Sequence, residues 1–136
     1  LNQEGLETEL LFKGTNQNFS IFSNFSKSKN ADGQAQLRRP DLTYGSNYRK
    51  SFLSYYFGPF DLNVNYKFNA KHIDTNDDGD RIKMKSIDIV NISLLKDISG
   101  NIFSINISNL LDEIYQRPHG YNQDGRQIKL GFKKSY

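Results

Sequence analysis

Apolar residues recur at every second position of this chain, in runs separated by polar stretches of two very different lengths. Residues 60–72 show it best: Leu62, Val64, Tyr66, Phe68 and Ala70 alternate with Asn63, Asn65, Lys67, Asn69 and Lys71. A β-strand sends successive side chains to opposite faces, so this pattern predicts a strand with one apolar and one polar face. Residues 4–13 place Leu6, Thr8, Leu10 and Phe12 against Gly5, Glu7 and Glu9. Residues 18–27 carry Phe19, Ile21 and Phe25 on one side, and residues 86–96 carry Val90, Ile92 and Leu94. Residues 102–110 set Phe103, Ile105 and Ile107 against Ser104, Asn106 and Ser108. The final run, 126–136, sets Ile128, Leu130, Phe132 and Tyr136 against Gln127, Lys129, Gly131, Lys133 and Ser135, with Lys134 interrupting the apolar set.

Residues 41–57 form a seventh, unusually long strand whose parity slips. Tyr44, Tyr48 and Phe52 agree, whereas Leu53, Tyr55 and Phe57 fall on the opposite count, and a bulge near Arg49-Lys50 accounts for the change. No sustained apolar stripe at helical spacing competes with these strands. The connections alternate: Gly14-Thr15-Asn16-Gln17, Gly58-Pro59 and residues 97–101 are short turns, while 28–40, 74–85 and 112–125 are long polar loops. Such alternation fits an outer-membrane barrel, with short turns on one side and long loops on the other. A strand of ~10 residues at ~3.3 Å each, tilted by ~40°, spans about 25 Å, the height of the apolar band, whereas sandwich strands run ~5–6 residues. The expected fold is therefore all-β, an antiparallel transmembrane barrel segment of about seven strands belonging to a larger barrel.

Composition changes this picture little. The 136 residues suit one domain, and no apolar run is long enough for a transmembrane helix. Eighteen basic against fifteen acidic residues leave +3, spread along the chain, and no nucleic-acid partner is expected. Without cysteine there is neither a disulfide framework nor a thiolate metal site. The opening Leu1-Asn2-Gln3-Glu4-Gly5 has no Met and no signal segment, which suggests a piece of a longer protein.

Candidate chemistry concentrates in the loops. Asp74, Asn76, Asp78 and Asp80, with Gly79, match the first half of a calcium loop, in which spaced oxygens wrap a hard cation. Lys85 stands where the closing bidentate acid belongs, and the alternative is an acidic solvated loop. His72 and His119 have no second His or Cys at ligand spacing. Arg38 and Arg39 could meet an anionic ligand group or a lipopolysaccharide phosphate, or anchor a strand end. Tyr121, Asn122 and Arg126 sit in or beside the last long loop, where they are candidates for ligand contact. Tyr55, Tyr56, Phe57 and Phe60 flank a short turn and read as an interfacial aromatic girdle. No Ser/His/Asp set, paired-carboxylate pocket or phosphate-cradling glycine loop appears, so catalysis is not indicated.

Three motifs together carry a resemblance. Gly5-Leu6-Glu7-Thr8-Glu9-Leu10, Leu37-Arg38-Arg39-Pro40 and Asn109-Leu110-Leu111-Asp112-Glu113-Ile114-Tyr115 are followed by Gly120-Tyr121, Gly125-Arg126 and a terminal strand ending in Tyr136. In this order the chain resembles the C-terminal part of a TonB-dependent outer-membrane receptor, closest to the cobalamin-receptor branch. Leu111 stands where that family usually has Phe, and Tyr136 where it ends on Phe. The resemblance implies a barrel of roughly twenty-two strands filled by an N-terminal plug, neither the plug nor the earlier strands being in this sequence. It further implies active import of a scarce large nutrient such as cobalamin or a ferric siderophore. TonB would act through the absent plug, lipids and lipopolysaccharide would surround the wall, and the barrel-assembly machinery would read the C-terminal strand. Residues 1–136 would be wall, outer loops and closing strand in the bacterial outer membrane, with no cofactor beyond a candidate calcium. The alternatives are a self-contained secreted all-β binding module and a passive porin or adhesin-type barrel.

Overall fold

The computed structural model describes residues 2–134; Tyr136, the expected terminal aromatic, lies outside them. Seven strands form one antiparallel meander: β1 (Asn2–Lys13), β2 (Gln17–Lys29), β3 (Leu42–Ser54), β4 (Gly58–Asn69), β7 (Ile87–Ile98), β8 (Asn101–Ser108) and β9 (Gln127–Lys134). Each pairs with its neighbours in sequence, except that β4 pairs with β7 across an inserted two-stranded hairpin, β5 (His72–Thr75) and β6 (Arg81–Met84). Residues 74–85 are thus partly a hairpin rather than wholly a loop. Its turn is built by Asn76, whose Oδ1 accepts the Asp80 amide at 2.7 Å, and by Gly79 at φ 87°. The Asp78-Gly79 pair is itself a turn signal, but the four-residue charged flanks show no clear apolar face.

The register keeps the expected faces together across the whole sheet. Leu10 pairs with Ile21, Tyr48 with Val64, Val64 with Ile92, Leu94 with Ile105 and Ile105 with Leu130, all on one face. Two aromatic belts bracket these aliphatic residues. Near the short turns the cross-strand pairs Phe12–Phe19, Phe52–Phe60 and Phe103–Phe132 place ring centroids 6.2, 5.0 and 5.1 Å apart. Near the long loops Tyr44 stacks on Phe68 at 4.7 Å. Such pairs each add roughly 0.2–1 kcal/mol to strand pairing. From Phe60 to Phe68 the strand rises about 26 Å, or ~20 Å once tilted by ~40°. Charged residues stand at the rims of this face, with Glu4 opposite Lys27 at one end and Lys96 opposite Phe103 at the other.

No element packs over either face of this sheet among the described residues. Among the described residues Ile87 is the only buried hydrophobic side chain, while Leu10, Leu130 and Phe132 are 58, 79 and 61% exposed. A soluble domain of this size would bury most such groups. The opposite face carries a polar ladder instead. Asn47 donates to Ser20, Asn65 to Asn47 and Asn91 to Asn65, so side-chain amides join β2, β3, β4 and β7. Asn91 Oδ1 then accepts the Asn109 amide at 3.0 Å, carrying the ladder to the end of β8.

The bulge expected near Arg49-Lys50 is absent. Pairing runs unbroken from Thr43↔Asn69 to Ser54↔Gly58 on one side of β3, and from Gln17↔Lys50 to Phe25↔Leu42 on the other. Leu53 stays in β3, paired with Pro59 on the polar face. The strand ends at Ser54, so Tyr55 and Phe57 belong to the turn. That turn is residues 55–57, and the expected turn residues Gly58 and Pro59 instead begin β4. At Gly45 a Cβ would lie 2.2 Å from the Tyr66 carbonyl oxygen and 2.7 Å from the Phe22 ring, so this position admits only glycine without a backbone shift.

Candidate functional site

The meander brings residues 30–41, the β5–β6 hairpin and residues 109–126 to one end of the sheet, where they lock together. Asp74, fully buried, is the centre of that lock. Its Oδ1 accepts Arg38 Nε at 2.9 Å and the Thr75 amide at 2.8 Å, and its Oδ2 accepts the His119 amide at 2.8 Å. One carboxylate therefore ties all three long connections. Burial pushes the Asp74 carboxyl up, but the His119 amide, Arg38 and the Thr75 amide outweigh it and hold the pKa at about 2. Arg38 reaches Asp74 from a left-handed backbone, φ 62°, and its own amide donates to the Ile73 carbonyl at 2.6 Å. Lys85 and Glu113 add an ion pair at 3.0 Å, and Arg81 donates to the Ala35 carbonyl.

The last long connection closes on Asn109 and Asp112. Asn109 is buried, at φ 51°; its Nδ2 donates to the Glu113 and Asp124 carbonyls and its Oδ1 accepts the Glu113 amide. Asp112, at φ 55°, accepts the Arg126 amide at 2.7 Å, and a Cβ on Gly125 would sit 2.8 Å from the Asp112 carboxylate. The Asn109…Asp112…Gly125-Arg126 spacing is thus a loop clasp. Its sequence signal was present, since Asn and Asp tolerate the left-handed region better than other side-chain-bearing residues.

The candidate calcium residues are not gathered. Asp74 turns inward to Arg38, Asn76 and Asp80 bond each other across the hairpin turn, and Asp78 sits exposed at its tip. No group of three or more His, Asp and Glu approaches metal-binding spacing among the described residues. The candidate ligand residues divide likewise. Arg38 is held by Asp74, Asn122 accepts Gln116 Nε2 at 3.0 Å, and Arg126 donates through Nη1 to the Leu110 carbonyl at 3.5 Å. Tyr121 is 69% exposed, and Arg39 faces a cleft that includes His72.

His72 is 5% exposed, and neither ring nitrogen has a hydrogen-bond partner among the described residues. Burial lowers its pKa, and the Arg117 charge lowers it further; Asp74 and the Ala70 backbone pull weakly the other way, the latter without hydrogen-bonding geometry. The ring is therefore neutral at pH 7, with one donor and one acceptor unfilled. Its buried environment, set by the hairpin, could not be read from a lone His in the sequence. No protein-family model matches the chain, and no curated protein matches it either.

Proposed function

We propose that the chain is the C-terminal wall of an outer-membrane β-barrel that imports a scarce, large nutrient by a TonB-dependent mechanism. The observation that carries the membrane part is the apolar face shared by seven strands, bracketed by aromatic belts and charged rims and covered by nothing else among the described residues. In this reading lipid hydrocarbon covers that face. The Asn and Ser ladder faces a lumen, the long loops lie outside the cell, and the short turns lie at the periplasmic side. The exposed backbone edges of β1 and β9 would pair with other strands of the same barrel, since open edges are not tolerated in hydrocarbon. The motifs Gly5–Leu10, Leu37–Pro40 and Asn109–Tyr115 support the TonB-dependent type, with cobalamin or a ferric siderophore as substrate class, and energy reaching the ligand through a plug and TonB.

Uptake in an outer-membrane host separates active import from a passive channel. Cells carrying the full-length protein should accumulate one of labelled cobalamin or a panel of ferric chelates, and collapsing the proton-motive force should reduce uptake by about tenfold or more. Accumulation that survives the collapse would point to a passive barrel and overturn the energised reading.

A further inference from the structure

On the short-turn side the apolar face carries a groove of about 470 Å³ over β4, β7 and β8. Phe57, Phe60, Leu94, Phe103 and Ile105 line it, with Lys96 among its walls. A second lysine stands on the same face by register: Lys50 of β3 pairs with Leu62, beside the Phe52–Phe60 stack. A lysine is costly in hydrocarbon, and both side chains answer that cost in the same way. Lys96, opposite Phe103, sends its Nζ to the Phe57 carbonyl in the turn. Lys50 sets its Nζ over the Phe52 ring, 4.8 Å from the centroid and closer to the end of β3. Each stem runs along apolar surface while the head points to the short-turn rim, the posture of a cation reaching for an interface.

Neither ammonium has an ion-pair partner among the described residues. Lys96 uses one of its three donors on a neutral carbonyl, and Lys50 rests on a ring. The carboxylates nearest along these strands, Asp61 and Asp97, have the opposite parity. Asp61 accepts from Ser51 and pairs with Arg49, and Asp97 accepts the Gly100 amide. No carboxylate shares the apolar face at this end among the described strand residues. At the long-loop rim, by contrast, Glu4 and Asp88 stand on that face with Lys27 and Lys29. The surplus of positive charge therefore belongs to one rim. Its two strands flank β4, about 10 Å apart, so both charges act on the same patch of surface.

We propose that this rim docks one anionic phospholipid, an acyl chain lying in the groove and the phosphate diester on Lys96, with Lys50 adding to the attraction. An apolar groove beside a basic rim matches a molecule that joins hydrocarbon to phosphate, and a free phosphate would leave the groove empty. A zwitterionic lipid carries its own cation next to the phosphate and loses most of the attraction. A headgroup with net negative charge keeps it, at about fivefold in affinity per lysine near the surface. The site rests on the membrane-wall reading of the apolar face and goes beyond it by giving the short-turn leaflet a lipid preference.

The test places the full-length protein in nanodiscs of equal phosphatidylglycerol and phosphatidylcholine, and native mass spectrometry counts the lipids that stay bound. Retained phosphatidylglycerol should be enriched about fivefold or more over the bulk ratio, and the enrichment should vanish in the folded Lys50→Gln/Lys96→Gln variant. Lys50→Arg/Lys96→Arg keeps both charges and should keep the enrichment. If the double glutamine variant does not fold, Lys50→Gln alone, which breaks no hydrogen bond among the described residues, should lower it. Retention at the bulk ratio, enrichment unchanged in the folded glutamine variants, or a second copy of the protein held in place of lipid overturns the site. A fluorophore on Val64→Cys, read against nitroxide-bearing phosphatidylcholine, reports the wall separately. A quenched probe without enrichment removes the lipid site and leaves the wall, and an unquenched probe removes both.

Discussion

Asp74 does at residue scale what a longer network does in most loop clusters. Sequence patterning made it a candidate metal ligand, beside the reading as an acidic solvated loop, because Asp-x-Asn-x-Asp-Gly spaces oxygens suitably; in the structure both its oxygens are taken by Arg38 and two amides. The ambiguity has a physical source. Spacing along the chain is shared by calcium loops and Asx-type hairpin turns, and only the position of Arg38, distant in sequence, decides between them. Asp74→Asn removes the charge while keeping an acceptor, so the Thr75 and His119 amides should exchange hydrogen about tenfold faster, as hydrogen-exchange mass spectrometry would show; unchanged rates would remove Asp74 from the lock. The pH dependence has a definite sign. The folded carboxyl titrates at about 2 against an ordinary 3.8. The ~2 kcal/mol this supplies is therefore fully present above pH ~4 and lost as pH falls through about 2. Protection of the same two amides should fall in that acid window.

At the scale of elements, every one of the seven sheet strands was legible, because period-two alternation survives wherever two faces meet different surroundings. Two departures share a cause in local ambiguity. Tyr55 and Phe57 continue the look of a strand although the chain has already turned after Ser54, since large aromatics exposed in a turn carry the same sequence signature as strand residues. The β5–β6 hairpin, four residues a side, is too short and too charged to show a face. The facial assignment makes an asymmetric prediction for neighbouring residues of β4. Val64→Arg places a charge at the middle of the apolar face and should cost ~2–4 kcal/mol in lipid. Asn65→Arg, one residue on and facing the other way, should cost under ~1 kcal/mol. Urea unfolding of the full-length protein from phospholipid vesicles measures both, and equal costs would contradict the assignment.

For the whole molecule, the decisive property is a single-layer sheet with no core of its own. The alternation and the loop asymmetry made that architecture readable, while the loop lock was not readable, because it depends on three connections folding over one another. The apolar face has no cover among the described residues, and the proposed function assigns that role to lipid. Because the sequence has no cysteine, single cysteines can be placed at will. The most direct measurement introduces them one at a time at Leu62, Val64 and Ile92, and at Asn63, Asn65 and Ser93. Each is labelled with a fluorophore, and the full-length protein is reconstituted with nitroxide-bearing lipids. Probes at 62, 64 and 92 should be strongly quenched and those at 63, 65 and 93 nearly untouched. Equal quenching on both faces, or none at 62, 64 and 92, would contradict a membrane-facing wall.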